Sequence, residues 1–115
     1  MQLVKKEKIF IIKIRTNNKL EMKAYLLKDE ELNKLQEKIP GWQIKNNHIK
    51  RSFIFKDFVE AFSFMTKIAL ISEKYNHHAN LENVYSEVKL KLSTHDLGGI
   101  SNLDQIIAQE INNII

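Results

Sequence analysis

The chain has 115 residues, of which 43% are hydrophobic and 28% charged, a balance typical of one globular domain. It contains no cysteine, which excludes disulfides, thiolate metal sites and a cysteine nucleophile. No apolar run approaches the roughly 20 residues that a membrane-spanning helix needs. The amino-terminal "KIFIIKIR" is too short and too interrupted by lysine for a signal peptide, so we expect a cytoplasmic protein.

The net charge of +4 is concentrated at the amino terminus. Residues 1–19 contain six basic residues against Glu7 alone, and the rest of the chain is close to neutral. We therefore expect a basic arm or an extra edge strand at residues 1–21, ahead of a single domain at residues 22–115. Because no basic helix with interleaved aromatic residues follows, nucleic-acid binding is not expected.

The first elements after the arm are a predicted helix and a predicted hairpin. Helical spacing with Asp29 as N-cap predicts a helix that ends at Pro40-Gly41. Its apolar positions are Leu27, Leu32, Leu35 and Ile39. In the following "GWQIKNNHIKRSFIF", Asn46-Asn47 is expected to form a tight turn with positive φ. Alternation then places Ile49, Arg51, Phe53 and Phe55 on one face of the second strand, and Lys50, Ser52 and Ile54 on the other.

The longest helical segment is "KDFVEAFSFMTKIALISEKYNHH". Its i, i+3, i+4 pattern predicts one broad buried stripe of Phe58, Ala61, Phe62, Met65, Ile68, Ala69 and Ser72. Phe64 lies off that stripe, so we expect it to contact a partner.

A strand and a closing helix complete the domain. The run "NVYSEVKLKLST" predicts one half-buried antiparallel strand, with Val84, Val88, Leu90 and Leu92 facing inward. "DLGG" is typical of a turn, and "SNLDQIIAQEINNII" predicts a helix with Ser101 as N-cap and Asp104 at the capping-box position, where Glu or Gln is usual. The expected architecture is an α+β domain, in which the helices lie on one face of an antiparallel sheet.

Three of the four histidines flank the last predicted strand, in "EKYNHHANLENVYSEVKLKLSTHD". Glu73 precedes His77 by four residues, so on a continuous helix its carboxylate would lie beneath that imidazole and fix its tautomer. His95 follows the strand. Imidazoles titrate near neutrality, so His77, His78 and His95 suit general acid–base chemistry on a small molecule.

Three alternatives stay open at this point. Adjacent histidines at the end of a helix are often solvated surface residues. A metal site built from one of the pair with His95 and Asp96 is another alternative, although neighbouring histidines diverge. A serine nucleophile is the third and weakest alternative, because Ser93 and Ser101 lack a nucleophile-elbow motif. The fourth histidine, His48, is expected to be a solvated residue of the hairpin turn.

From "LKDEELNKL" to "IIAQEI", the chain resembles the pterin-4a-carbinolamine dehydratase family (4a-hydroxytetrahydrobiopterin dehydratases). The most specific pieces are "E-x3-HH", "NVY", an alternating strand and "STHD", in that order. "GW" and "FKDFVEAFSFMTKIAL" also match the family's hairpin start and central helix.

The resemblance implies a four-stranded antiparallel sheet with three helices on one face, assembled as homodimers or homotetramers, the latter through the central helix. It implies removal of water from 4a-hydroxytetrahydropterin to give quinonoid dihydropterin, in tetrahydrobiopterin regeneration, with no metal or organic cofactor. His77 and His95 would transfer protons, and His78 would bind the pterin and its leaving hydroxyl. The resemblance further implies that Glu73 orients His77 and that Asn76, Ser93, Thr94 and Asp96 contact the substrate.

The chain departs from the family pattern around the histidine pair. The family commonly has Asp before the pair, then Pro and an aromatic residue, where this sequence has Asn76, Ala79 and Leu81. A different class of function, an interaction protein or dimerisation cofactor that docks a partner through the central helix, is the alternative expectation, and Phe64 would be its contact residue.

Overall fold

The computed structural model describes residues 22–115, which form three α-helices, four strands and one short 3-10 helix. The elements are α1 Asp29–Lys38, β1 Gln43–Ile44, β2 Ile49–Ile54, α2 Phe58–Tyr75, β3 Asn80–Val84, β4 Glu87–Leu92, the 3-10 helix His95–Leu97 and α3 Asn102–Asn113. The expected arm or strand at residues 1–21 lies outside the described residues, and the domain boundary stays a prediction. None of the described helices has the length and apolar character needed to cross a bilayer.

The four strands form one antiparallel sheet in the order β1-β2-β4-β3. Side chains alternate along the two central strands, so that Ile49 and Phe53 of β2 are buried and Lys50 and Ser52 are exposed. In β4 the buried positions are Val88, Leu90 and Leu92. The helices cover the buried face and the opposite face is open, which confirms the predicted α+β class.

The strand predicted over residues 83–94 is two strands joined by a tight hairpin. Val84 pairs with Glu87 across this hairpin, and Tyr85 in the turn has a left-handed backbone with φ of 51°. Val84 is 75% exposed, so its predicted inward orientation is wrong. The reversal at Tyr85 breaks the alternation that the prediction extended from β4 back to residue 84.

Helix α2 buries a different stripe from the predicted one. Phe64 is only 4% exposed, and its ring centroid lies 4.7 Å from that of Phe53 and 4.9 Å from that of Phe55. Phe58 and Phe62, predicted to be buried, are 46% and 57% exposed. Apolar residues occur on two faces of this helix, and the face that packs on the sheet is the one whose Phe64 contacts Phe53 of β2 and Phe55 just after it.

Two predicted local details are also corrected. Helix α1 has Lys28 as its N-cap, one residue before Asp29, and the backbone N–H of Lys28 donates to Glu31 Oε1 at 2.9 Å. Between residues 22 and 115, the non-glycine residues with positive φ are Asn76 and Tyr85, so the expected positive-φ turn at Asn46-Asn47 is wrong. The hairpin itself is present and is closed by a hydrogen bond from Lys45 N to His48 O of 2.8 Å.

Candidate active site

The end of helix α2 places the histidine pair. Asn76 adopts the left-handed conformation with φ of 51°, and the backbone N–H of His77 donates to Ser72 O at 3.0 Å. This is the Schellman arrangement, in which asparagine is one of the few non-glycine residues that is well tolerated. Because the helix ends at Tyr75, the i, i+4 spacing between Glu73 and His77 no longer brings their side chains into register.

The side chain of His77 pairs with Asp104, at the start of α3. The distance from His77 Nε2 to Asp104 Oδ1 is 2.6 Å, and the Asp104 carboxylate is fully buried. The other oxygen, Oδ2, accepts hydrogen bonds of 2.8 Å from Thr94 Oγ1 and from the backbone N–H of Ser101. Asp104 therefore joins the end of α2, the end of β4 and the start of α3.

The hydroxyls around Asp104 form a chain of donors with one consistent direction. The backbone N–H of Leu103 donates to Ser101 Oγ at 3.2 Å, and Ser101 Oγ lies 2.5 Å from Thr94 Oγ1. Since Thr94 gives its only proton to Asp104, Ser101 must donate to Thr94. The ionised carboxylate then accepts from His77 Nε2–H, which fixes the tautomer and leaves His77 Nδ1 as the nitrogen that can exchange protons with a ligand.

His78 contacts Glu73 instead. His78 Nε2 lies 2.5 Å from Glu73 Oε2, and both side chains are more than half exposed. The expectation that Glu73 orients His77 is thus corrected, because Asp104 holds that imidazole and the Glu73 carboxylate holds its neighbour. The two histidines have separate carboxylate partners, one buried and one exposed.

The other candidate residues lie at the end of β4 and in the turn after it. His95 and Asp96 are exposed in the 3-10 helix that directly follows Thr94. Thr94 is buried and its backbone N–H donates to Gly99 O at 2.8 Å, which closes this turn. Ser93 Oγ donates to Asn47 O at 2.7 Å, so its hydroxyl is already engaged by the β1–β2 loop.

The family comparison bears directly on this arrangement. A family model described as "Pterin 4 alpha carbinolamine dehydratase" matches residues 25–114, which is most of the chain. The chain belongs to this family. The resemblance noted from the histidine motif is therefore confirmed, and with it the assignment of the chain to an enzyme family of pterin dehydratases.

Relatives and a solved structure agree with that membership. A protein of Prochlorococcus marinus strain MIT 9515, named "Putative pterin-4-alpha-carbinolamine dehydratase", is 71% identical over 81% of this chain and 97% of its own length. A protein of the same name from Synechococcus sp. strain WH7803 is 47% identical over 77% of this chain and 96% of its own. The crystal structure of a "transcriptional coactivator/pterin dehydratase" from Brucella melitensis is 39% identical, with a TM-score of 0.74 over 78% of this chain and 98% of that one.

Asp104 is the site residue that the sequence reasoning missed. It was assigned only to the capping box of α3, a role that its contact with the Ser101 backbone confirms. The sequence feature that could have revealed it is the aspartate at the capping-box position, because Glu or Gln, with longer side chains, is usual there. With one oxygen on the cap, the second oxygen is available to a side chain from outside the helix, here His77.

The metal alternative finds no support in the described part of the chain. Within residues 22–115 the structure gathers no group of three or more histidine, aspartate or glutamate side chains in positions to hold one ion. His48 is separate from this site and lies in the β1–β2 loop, with its Nδ1 2.9 Å from Asn47 Oδ1.

Proposed function

We propose that this chain removes water from 4a-hydroxytetrahydropterin and releases quinonoid dihydropterin, by proton transfer through His77 and His95. One imidazolium protonates the hydroxyl on C4a, the C4a–O bond breaks and water leaves. The other imidazole accepts the proton from N5 as the N5–C4a double bond forms. The two histidines thus exchange protonation states, and solvent restores them between turnovers.

The observation that carries this proposal is the hydrogen-bond chain from His77 through Asp104 to Thr94. It joins the histidine at the end of α2 to the residue that directly precedes His95. A fully buried carboxylate that already accepts two other hydrogen bonds is a rigid holder for an imidazole, and it stabilises the imidazolium when that forms. A histidine held in this way is suited to proton transfer and differs from a solvated surface residue.

The remaining candidate residues are proposed to bind the substrate. His78, held by Glu73, would contact the pterin and its leaving hydroxyl, and the exposed Asp96 would reach the substrate from the turn after β4. Asn76 would contribute from the helix end. Since the Ser93 hydroxyl has a partner within the fold, Ser93 would act through its backbone groups. The hydroxyl and the backbone groups of Thr94 all have partners, so Thr94 would act on the substrate by holding Asp104 and shaping the turn that carries His95.

The test is the decay of the carbinolamine absorbance in the presence of purified protein. We expect wild-type protein to accelerate the decay, and His77→Ala or His95→Ala to reduce that acceleration by about 10²–10⁴-fold, the usual contribution of one general acid or base. The matched control is His48→Ala, which removes a histidine from the β1–β2 loop. Wild-type protein that does no better than buffer, or a His48→Ala loss equal to that of His95→Ala, would contradict the proposal.

The proposed setting is regeneration of tetrahydrobiopterin in the cytoplasm by a homo-oligomer. Support for self-association comes from the apolar surface of α2 formed by Phe58, Val59, Phe62 and Leu70, which are between 46% and 71% exposed. Phe64 is buried against Phe53 of β2, so its side chain is not accessible for the alternative function, docking of a partner through this residue. We assign the exposed surface to contact between copies of this chain.

A further inference from the structure

The open face of the sheet carries a compact group of lysines, Lys50, Lys89 and Lys91, here called the lysine triad. Lys50 of β2 lies directly opposite Lys91 of β4, and Lys89 is two residues before Lys91 on the same exposed face. Opposed residues have Cβ atoms about 5 Å apart, and residues two apart on a strand are separated by about 6.8 Å. The three ammonium groups can therefore reach one small ligand together.

This arrangement is unfavourable unless something compensates the charge. Like charges directly opposite each other on neighbouring strands, here Lys50 and Lys91, destabilise a sheet, whereas Lys89 faces Glu82 of β3. None of the ion pairs formed among residues 22–115 includes a member of the lysine triad. Residues 22–115 contain 12 basic and 12 acidic side chains, so the domain as a whole is not basic and the excess of positive charge is local to this part of the sheet.

A cavity of about 470 Å³ lies over the triad. Its lining adds the neutral hydrogen-bonding side chains of Gln43, Ser52 and Asn80, and the carboxylate of Glu82. Arg51 also lines it, although its Nη1 donates to Asn112 Oδ1 at 2.8 Å. Among residues 22–115, no aromatic side chain on which a nucleic-acid base could stack lines this cavity.

Positive charges of the lysine triad also affect a neighbouring histidine, His48. His48 lies beside a second cavity of about 370 Å³ that shares Lys50 with the first. Burial, and after it the positive charges of Lys91, Lys50 and Lys45, lower the pKa of His48 from its usual value. Two members of the triad, Lys50 and Lys91, therefore also act on the β1–β2 loop.

We propose that the lysine triad binds a compact phosphate group, either free or at the end of a phosphate monoester. With the Glu82 carboxylate opposite Lys89, the three ammonium groups leave a net charge of about +2, which matches one phosphate dianion. The neutral side chains around them can donate to its oxygens. The compactness of the triad and the absence of stacking aromatics from the cavity favour one phosphate over a nucleic-acid strand. The site lies on the face of the sheet opposite the helices, and His77 and Asp104 do not contribute to it.

The experiment titrates the full-length protein with inorganic phosphate and separately with glycerol phosphate, at constant ionic strength, followed by ¹H–¹⁵N NMR. We expect saturable shifts centred on Lys50 and Lys91 at millimolar ligand or below. Binding by the Lys50→Gln/Lys91→Gln variant should be at least about tenfold weaker, because two of the three charges are gone. The control Lys67→Gln removes one exposed lysine from α2 and should bind within about twofold of wild type.

The outcomes separate the ligand sources and the competing partner. Equal binding of both ligands supports a terminal phosphate ester, and binding of inorganic phosphate alone supports the free anion. Absence of saturable shifts, or tighter binding of a single-stranded oligonucleotide with a steeper salt dependence than either ligand, overturns the proposal. The double variant should retain wild-type carbinolamine dehydration, so the result does not depend on the proposed function.

Discussion

Asp104 performs two functions with one carboxylate. Its Oδ2 completes the capping box of α3 by accepting from the Ser101 backbone, and its Oδ1 holds His77. A buried carboxylate is costly unless its lone pairs are satisfied, and here Thr94, Ser101 and His77 all donate to it. The residue that begins the helix therefore also sets the orientation of the proposed proton-transfer group.

Asp104→Asn tests this positioning role. The asparagine Oδ1 can still accept from the Ser101 backbone N–H and so complete the capping box, but its amide N–H₂ would oppose His77 Nε2–H. We expect a fall in kcat of about 10²-fold or more and a changed pH profile of kcat, with little change in melting temperature. The control is Asp57→Asn at the N-cap of α2, whose side chain accepts from Glu60 N.

A parallel loss of activity in Asp57→Asn and Asp104→Asn would argue against the positioning role. So would an Asp104→Asn enzyme with an unaltered pH profile and full activity. Circular dichroism on both variants separates a loss of fold from a loss of orientation.

At the scale of elements, helix α2 has one apolar face in the core and another exposed. Phe64→Ala should lower the free energy of unfolding by about 3–5 kcal/mol, because it leaves a cavity against Phe53 and Phe55. Lys67→Ala, three residues later and exposed on the same helix, should cost less than about 1 kcal/mol. Urea unfolding of the two variants measures the difference, and equal losses would mean that the burial assigned to α2 is incorrect.

Helices α2 and α3 are also joined by a hydrogen bond from the phenol group of Tyr75. Tyr75 Oη donates to Glu110, which also accepts from Lys74 Nζ at 3.1 Å. Burial, followed by the Glu110 carboxylate, raises the pKa of Tyr75 above its usual value. The stabilisation is therefore complete below the unfolded pKa of about 10 and is lost as the pH rises through the folded pKa.

This linkage predicts that Tyr75 ionises at a higher pH than an ordinary tyrosine in an alkaline titration followed at 295 nm. Tyr75→Phe should remove the last component of the absorbance change, and it should reduce the loss of stability at high pH. If Tyr75→Phe lowers only the amplitude of the absorbance change and leaves its pH dependence unaltered, the hydrogen bond to Glu110 does not influence Tyr75.

Local patterns predicted the elements better than the contacts between them. Alternation identified the buried faces of β2 and β4, and the Ser101–Asp104 capping box was recognisable because its residues are close in sequence. Strand β3 was missed because Asn80–Val84 is an edge strand whose residues are mostly exposed, so it carries little alternation. The choice of face on α2 and the partner of His77 depended on chain reversals and on distant residues, which spacing does not record.

At the scale of the whole molecule, the proposed site combines three points of one chain. The ends of α2 and β4 and the start of α3 meet at Asp104, and each of these contacts is made within a single copy. The exposed surface of α2 around Phe62 belongs to the opposite side of that helix from its core face. Self-association and catalysis should therefore be separable.

Phe62→Glu tests this separation, because a carboxylate in the centre of the exposed α2 surface opposes burial between two copies. We expect light scattering coupled to size exclusion to report a smaller assembly for Phe62→Glu than for wild type. Dehydratase activity per chain should remain within about twofold, since the site and the substitution are independent. The control Lys67→Glu also places a carboxylate on α2, at a position that is already polar, and should leave the assembly unchanged. Activity that falls in proportion to the loss of assembly would mean that a second copy completes the site.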